Sequence, residues 1–285
     1  MRGEALAEAI WQHAPDAMLV TDASGVIVKL NPAAVALFGY QEDELVGQPV
    51  EHLVPTRQRD GHVVKRQGNG GAPRMMGGPS ASLRALHKNG EEIAVEIALG
   101  MLEVDEQRWA IAIVRDVRPR EKLEQELRYR STHDSLTGLY NRAFLDQELG
   151  RLARSRRFPV AVIVIDLDGL KAVNDDAGHA AGDEIIIRTA RILGATARGD
   201  DVVARVGGDE FVVVLPHTSL ETAHEVLLRL EGNAAHENEG QVLPVRYSVG
   251  VAVATDGNEL PWALREADER MYANKRARRG GGPVR

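Results

Sequence analysis

Arg205-Val206-Gly207-Gly208-Asp209-Glu210-Phe211 is the stretch whose reading decides the fold. Val202 and Val203 precede it, and Val212, Val213, Val214 and Leu215 follow. Two β-branched runs around a Gly-Gly-Asp-Glu tip predict a β-hairpin. The tip sets two carboxylates beside two residues without side chains, where a phosphate can approach backbone N–H groups. Upstream, the apolar run 160–165 has strand length and ends in Asp166-Leu167-Asp168. An isolated Asp at a strand end is more often a turn residue. Two acidic strand ends together can share a hard divalent cation, which takes oxygen ligands.

Further motifs surround these strand ends in order. Asp134-Ser135-Leu136-Thr137-Gly138-Leu139 with Asn141-Arg142 opens the segment. Asp166-Leu167-Asp168-Gly169-Leu170-Lys171 continues to Asn174-Asp175, Gly178-His179 and Gly182-Asp183. Ser248-Val249-Gly250-Val251, then Ala267-Asp268, Tyr272 and Lys275, close it. On these residues the segment from about 134 to 279 resembles a GGDEF domain, the catalytic domain of diguanylate cyclases. The fold implied is α+β, a nucleotidyl-cyclase-like central sheet surrounded by helices, expected over 133–285.

The resemblance implies condensation of two GTP into cyclic di-GMP with release of pyrophosphate. It places Mg²⁺ or Mn²⁺ on Asp166, the Leu167 carbonyl and Asp209. Glu210 would position or deprotonate the attacking hydroxyl, directly or through a second metal. Gly207 and Gly208 would let backbone amides reach the phosphates. Asn174 and Asp183 would read the guanine, an amide and a carboxylate suiting its carbonyl and N–H edge. Lys171, Lys275 and Arg279 would bind the triphosphate, and His179 would be structural. By themselves these residues would read as helix caps and solvated surface charges. Leu170 stands where the family commonly has Phe, and Arg278 where it has Gly, which puts the C-terminal phosphate contact at Arg279 in doubt. Arg198-Gly199-Asp200-Asp201 matches the spacing of the family's product-inhibition site, with Arg229 as a secondary contact. Arg-x-x-Asp alone would read as a surface salt bridge.

The first 117 residues carry a second pattern. A short amphipathic helix over 4–14 is followed by a hairpin of runs 17–21 and 26–30. Asn31-Pro32 starts a helix, with Pro just inside its N-terminus. Runs 83–86, 93–99 and 109–114 read as three strands, the first two joined at Asn89-Gly90. The segment 67–82, rich in Gly, Pro and Ser, reads as a mobile loop. Asp16-Ala17, Asp22 with Gly25, Asn31-Pro32-Ala33, Phe38-Gly39-Tyr40, Glu44-Leu45 with Gly47, Lys88-Asn89-Gly90 and Arg115-Asp116-Val117 resemble a PAS domain, expected over 1–117 as an antiparallel sheet with flanking helices. Such a core can be empty or hold a small ligand, flavin or haem. His62 lies where haem-binding PAS domains carry a ligating His, with Met75 and Met76 as second axial candidates; an empty or haem-free core is the default. Residues 118–132 read as a helical linker in which Leu123 and Leu127, four apart, give a short coiled-coil signal.

Composition narrows the classes. The chain has 285 residues, enough for two domains, and no cysteine, which excludes disulfides, thiolate metal sites and cysteine–flavin photochemistry. Its 35 basic and 42 acidic residues leave a net charge of −7, against general nucleic-acid binding. No apolar run approaches the ~20 residues of a membrane span. The N-terminus does not read as a secretion signal. A cytoplasmic location, without membrane or nucleic-acid partners, is therefore expected. One GTP per GGDEF domain implies an active homodimer, held through the PAS domains and linker. The alternative is a catalytically silent GGDEF sensor of GTP or cyclic di-GMP acting through a protein partner. A dimerisation scaffold is a third reading, which the set of site residues disfavours.

Overall fold

The backbone divides between residues 125 and 126 into two units. The computed structural model describes residues 2–67, 74–76 and 83–280, without the side chains at 64–67, 74 and 279.

The first unit runs α1 (Arg2–His13), β1 (Ala17–Asp22), β2 (Ile27–Leu30), α2 (Pro32–Phe38), α3 (Glu42–Leu45), α4 (Arg59–Gln67), β3 (Arg74–Met76), β4 (Leu83–Leu86), β5 (Glu92–Val104) and β6 (Gln107–Asp116). The strands form one antiparallel sheet ordered β2-β1-β6-β5-β3, with β4 also on β5. Buried Asn31 ties α2 to the sheet. Its amide oxygen accepts from Ala34 N at 2.9 Å, capping the helix, and from Met18 N at 2.8 Å, while its NH₂ donates to Asp16 O at 3.0 Å. Pro32 needs no hydrogen-bond partner at the first helical position. Gly39 ends the helix at φ 74°, a left-handed conformation that favours glycine. Phe38, Leu45, Ile27, Ile93 and Val95 fill the core.

Two sequence expectations need correction here. Within the segment read as a loop, Gln67 closes α4 and Arg74–Met76 form a strand on β5; 68–73 and 77–82 lie outside the described residues. The last two strands also run well past the apolar runs that announced them, meeting at Asp105 and Glu106 with φ 51° and 62°. This hairpin turn was not legible because neither residue is the Gly or Asn that usually signals positive φ.

Helix α5 (Arg118–Thr132) crosses the division and has no buried residue; Leu123 and Leu127 are exposed. The second unit then runs β7 (Tyr140–Asn141), α6 (Arg142–Ala153), β8 (Val160–Leu167), α7 (Leu170–Ala177), α8 (His179–Thr196), β9 (Val202–Arg205), β10 (Glu210–Pro216), α9 (Leu220–Asn238), β11 (Tyr247–Ala254) and α10 (Leu260–Gly280). The sheet order is β11-β8-β10-β9-β7, antiparallel except for the β7–β9 pair. Every residue of β8 is buried. Its side chains alternate between two layers. Ile163, Ile165 and Leu167 join the core under α8 and α9, whereas Val160, Val162 and Val164 join the core under α6 and α10. By that alternation Asp166 falls on the α10 side. No helix among the described residues is long and apolar enough to cross a membrane.

Candidate active site

The β9–β10 hairpin carries the tip read from sequence. Val206 N donates to Glu210 O at 2.9 Å, closing it. In register, Glu210 lies opposite Asp166 on β8, and Ser248 of β11 lies opposite Asp166 on the other side. Directly opposed residues share a face, so Asp166 and Glu210 stand together. Leu167 N donates to Asp209 O at 2.9 Å, locking the tip to the end of β8.

Successive side chains at the tip diverge. Glu210 and Asp166 line a cleft of about 350 Å³ together with Asp268, Met271, Tyr272, Lys275 and Arg276 of α10. Asp209 and Gly208 line a second cleft of about 490 Å³ with Lys171, Asn174, Asp175, His179 and Arg205. Asp268, Tyr272 and Lys275 are spaced so that they rise along one face of α10. Asp166 and Lys275 form a partly buried ion pair. Burial pushes the Asp166 carboxyl above the usual range; Lys275 offsets this in part, and the charges of Asp209 and Asp168 add to it.

A second set of contacts steadies the acidic ends. Asp168 accepts from Ser248 Oγ at 3.0 Å on both oxygens, and its N–H donates to Arg246 O at 2.8 Å. Arg205 Nη1 donates to Asp134 Oδ1 at 3.0 Å while Nη2 donates to Gly208 O at 2.8 Å. Burial alone would raise the Asp134 carboxyl; hydrogen bonds from Thr137 and Arg205 outweigh it and hold the carboxyl below the usual range. The tip is thus braced from Asp134, a contact 71 positions away that spacing did not reveal.

The other residues singled out from sequence fall as follows. Asn174 sits against Gly182, where an added Cβ would lie 2.0 Å from Asn174 Oδ1. Asp183 is exposed on α8 and does not line either cleft. Lys171 lies in the Asn174 cleft, apart from Lys275. Arg278 donates to Tyr247 O at 2.8 Å and comes within 3.9 Å of Asp168, so it is engaged at the strand ends. The Arg279 side chain lies outside the described residues. Arg198 is exposed, with its N–H donating to Asp201 Oδ2 at 2.7 Å. Arg229 Nη2 donates to Thr196 O at 2.6 Å, two residues before Arg198, which draws it toward that loop. In the first unit, His62 Nδ1 lies 3.0 Å from buried Glu51, and Met75 is exposed. Sequence reasoning gave no role to Arg276, nor to Asp268 and Tyr272, although their helical spacing with Lys275 was available as a signal.

A hard divalent cation fits these donors by chemistry. Asp166, Asp209 and Glu210 supply oxygen, and the buried Asp166 carboxylate already rests against a cation, Lys275. Among the described residues no group of three acidic or imidazole side chains is drawn together as a preformed metal cluster.

Comparison with known proteins places the chain. The family model described as "Diguanylate cyclase, GGDEF domain" matches residues 131–281, and the PAS fold model matches 5–117. The probable diguanylate cyclase DgcE of Escherichia coli K12 is 30% identical over 274 residues, covering 93% of this chain and 25% of that protein. Diguanylate cyclase DgcM of the same organism is 28% identical over 267 residues, covering 90% of this chain and 63% of that protein. The chain therefore spans less than two thirds of either relative. The crystal structure of the coiled coil and GGDEF domain of DgcB from Caulobacter crescentus, in complex with c-di-GMP, superposes with a TM-score of 0.51 at 29% identity, covering 56% of this chain and 88% of that one. With its sheet order, hairpin tip and motif set in the second unit, the chain belongs to the GGDEF-domain diguanylate cyclase family and carries a PAS fold ahead of that domain.

Proposed function

We propose that this protein is a PAS-regulated, cytoplasmic diguanylate cyclase, active as a homodimer. The observation that carries the reading is the pairing of Asp166 with Glu210 at the mouth of one cleft, while Asp209 and Asn174 line the next. In the reaction the 3′-oxygen of one GTP attacks the α-phosphorus of another. An O–P bond forms, the α–β phosphoanhydride breaks, and pyrophosphate leaves with the electron pair. A second such step closes the ring. Each domain holds one GTP, so two must face each other.

The chain's own residues divide the work. Asn174 hydrogen-bonds the guanine, with Asp183 on the next helix as its partner. Gly207 and Gly208 keep the tip open to phosphate, and Lys171, Lys275 and Arg279 neutralise the triphosphate. Glu210 positions the 3′-hydroxyl and takes its proton. Asp166, the Leu167 carbonyl and Asp209 would hold Mg²⁺ or Mn²⁺, which when bound supplies charge neutralisation at the phosphates. The PAS domain (1–117) receives a signal, and the linker (118–132) passes it to the cyclase domain (133–285) by changing the fraction of aligned pairs.

Incubation of the protein with GTP and Mg²⁺, followed by nucleotide chromatography, tests the reading. Cyclic di-GMP is the expected product. GTP bound without turnover, in the presence and absence of candidate PAS ligands, would favour the silent-sensor alternative instead.

Two further outcomes are expected. Gly182→Ala places a methyl group where the Asn174 amide now sits, so the amide must swing away. Losing its hydrogen bonds to guanine should weaken GTP binding on the order of tenfold. Stability should not fall, because alanine favours the helix. Isothermal titration with GTP and a thermal melt check both halves. Arg198 and Asp201, with Arg229 drawn to the same loop, are proposed as the inhibitory product site. Arg198→Ala should let product accumulate past the wild-type plateau. Inhibition by added cyclic di-GMP at the wild-type concentration in that variant would overturn this assignment.

A further inference from the structure

Lys275 and Asp166 are 109 positions apart in sequence yet meet as an ion pair whose side chains are only 15% and 9% exposed. The carboxylate concerned is the one to which the proposed function gives the metal. An ammonium resting on a carboxylate oxygen and a dication on the same carboxylate would repel each other strongly in so poorly solvated a place. The two therefore compete for Asp166. Lys275 has the means to move. Its charge sits on a flexible four-carbon stem, and it lines the cleft into which the nucleotide phosphates would come. The negative charges of Asp209 and Asp168 near Asp166 add to the pull on a cation there. Asp168 is served separately, by Ser248 and the approach of Arg278.

We propose that Lys275 is a displaceable counter-ion. Without nucleotide its ammonium holds the divalent cation's place on Asp166, and it yields that place when metal arrives with phosphate oxygens able to receive the ammonium. The proposal rests on the reading of Asp166 as a metal ligand. Its consequence is an order of loading: free divalent cation competes poorly for the empty site, and metal and nucleotide enter together. A counter-ion that occupies Asp166 about 90% of the time lowers the apparent affinity for free metal about tenfold.

The test is Mn²⁺ binding to the nucleotide-free full-length chain, followed by the electron paramagnetic resonance of free Mn²⁺. Lys275→Met keeps the aliphatic stem and removes the charge; it should bind Mn²⁺ about tenfold more tightly than the wild type, although it binds GTP more weakly. Lys275→Arg retains a cation on Asp166 and should bind Mn²⁺ as the wild type does. Asp166→Asn should lose the site. Circular dichroism confirms that each variant is folded. If Asp166→Asn abolishes binding but Lys275→Met binds Mn²⁺ no more tightly than wild type, the counter-ion proposal is overturned and the metal reading stands. If Asp166→Asn binds Mn²⁺ as wild type does, Asp166 is not a metal ligand, and both fall.

Discussion

Asp209→Ala should lower the rate of cyclic di-GMP formation by at least ~10³-fold. The tip that carries Asp209 is held independently of its carboxylate. Leu167 N grips its backbone oxygen, and Arg205 braces Gly208 from Asp134. Removing the side chain therefore leaves the hairpin in place and takes away one negative oxygen donor at the position where triphosphate charge must be neutralised. The loss should lie in turnover, with the thermal melt near that of the wild type. Asp209→Glu, which keeps the donor but lengthens the arm, should retain more activity than alanine. Chromatographic assay of GTP turnover, run beside the melt, reads both quantities. Alanine activity within a few-fold of wild type would remove Asp209 from the catalytic machinery.

Gly250→Ala carries the largest expected effect on stability. Gly250 lies in β11, which packs along α10, and an added Cβ would stand 2.1 Å from Ala267 O and 2.2 Å from Met271 N. These are helix backbone atoms, so no side chain can turn aside to make room. Helix α10 would have to lift from the sheet, disturbing the contacts of Ala267 and Met271 in the core beneath it. The cost should be about 3 kcal/mol. For a unit of this size that corresponds to a drop of roughly 6–12 °C in Tm. Because α10 also carries Lys275 and Tyr272 into the cleft, GTP binding should weaken in step. Gly232, in α9, provides the contrast. Nothing lies within 4 Å of a Cβ there, and Gly232→Ala should stabilise the chain by roughly 0.5–1 kcal/mol through helix propensity. Calorimetry of the two variants side by side decides the matter; equal melting temperatures would refute the steric argument.

Much of this protein was legible in its sequence because the signals are local. The β-branched runs on either side of Gly207-Gly208 specify a hairpin, and Asn31-Pro32 specifies a helix start, through forces acting over a few residues. Along β8, by contrast, the apolar run is continuous and every residue is buried, so the face on which Asp166 emerges had to come from the packing of helices on both sides. Strand β3 and the long β5–β6 hairpin escaped because partners across the sheet, not intrinsic preference, make Arg74–Met76 and the polar strand ends extend.

The sequence by itself determined the two fold types, the hairpin at Gly207-Gly208 and the acidic character of the strand ends. Only the tertiary structure decided which acid faces which cleft, that Arg205 braces the tip from Asp134, and that Arg278 is engaged at Tyr247 while Lys275 rests on Asp166. The reason is physical. Turns, caps and periodicity arise from neighbours in the chain, whereas an ion pair between residues 109 positions apart exists only after the sheet has set its register and α10 has packed across it.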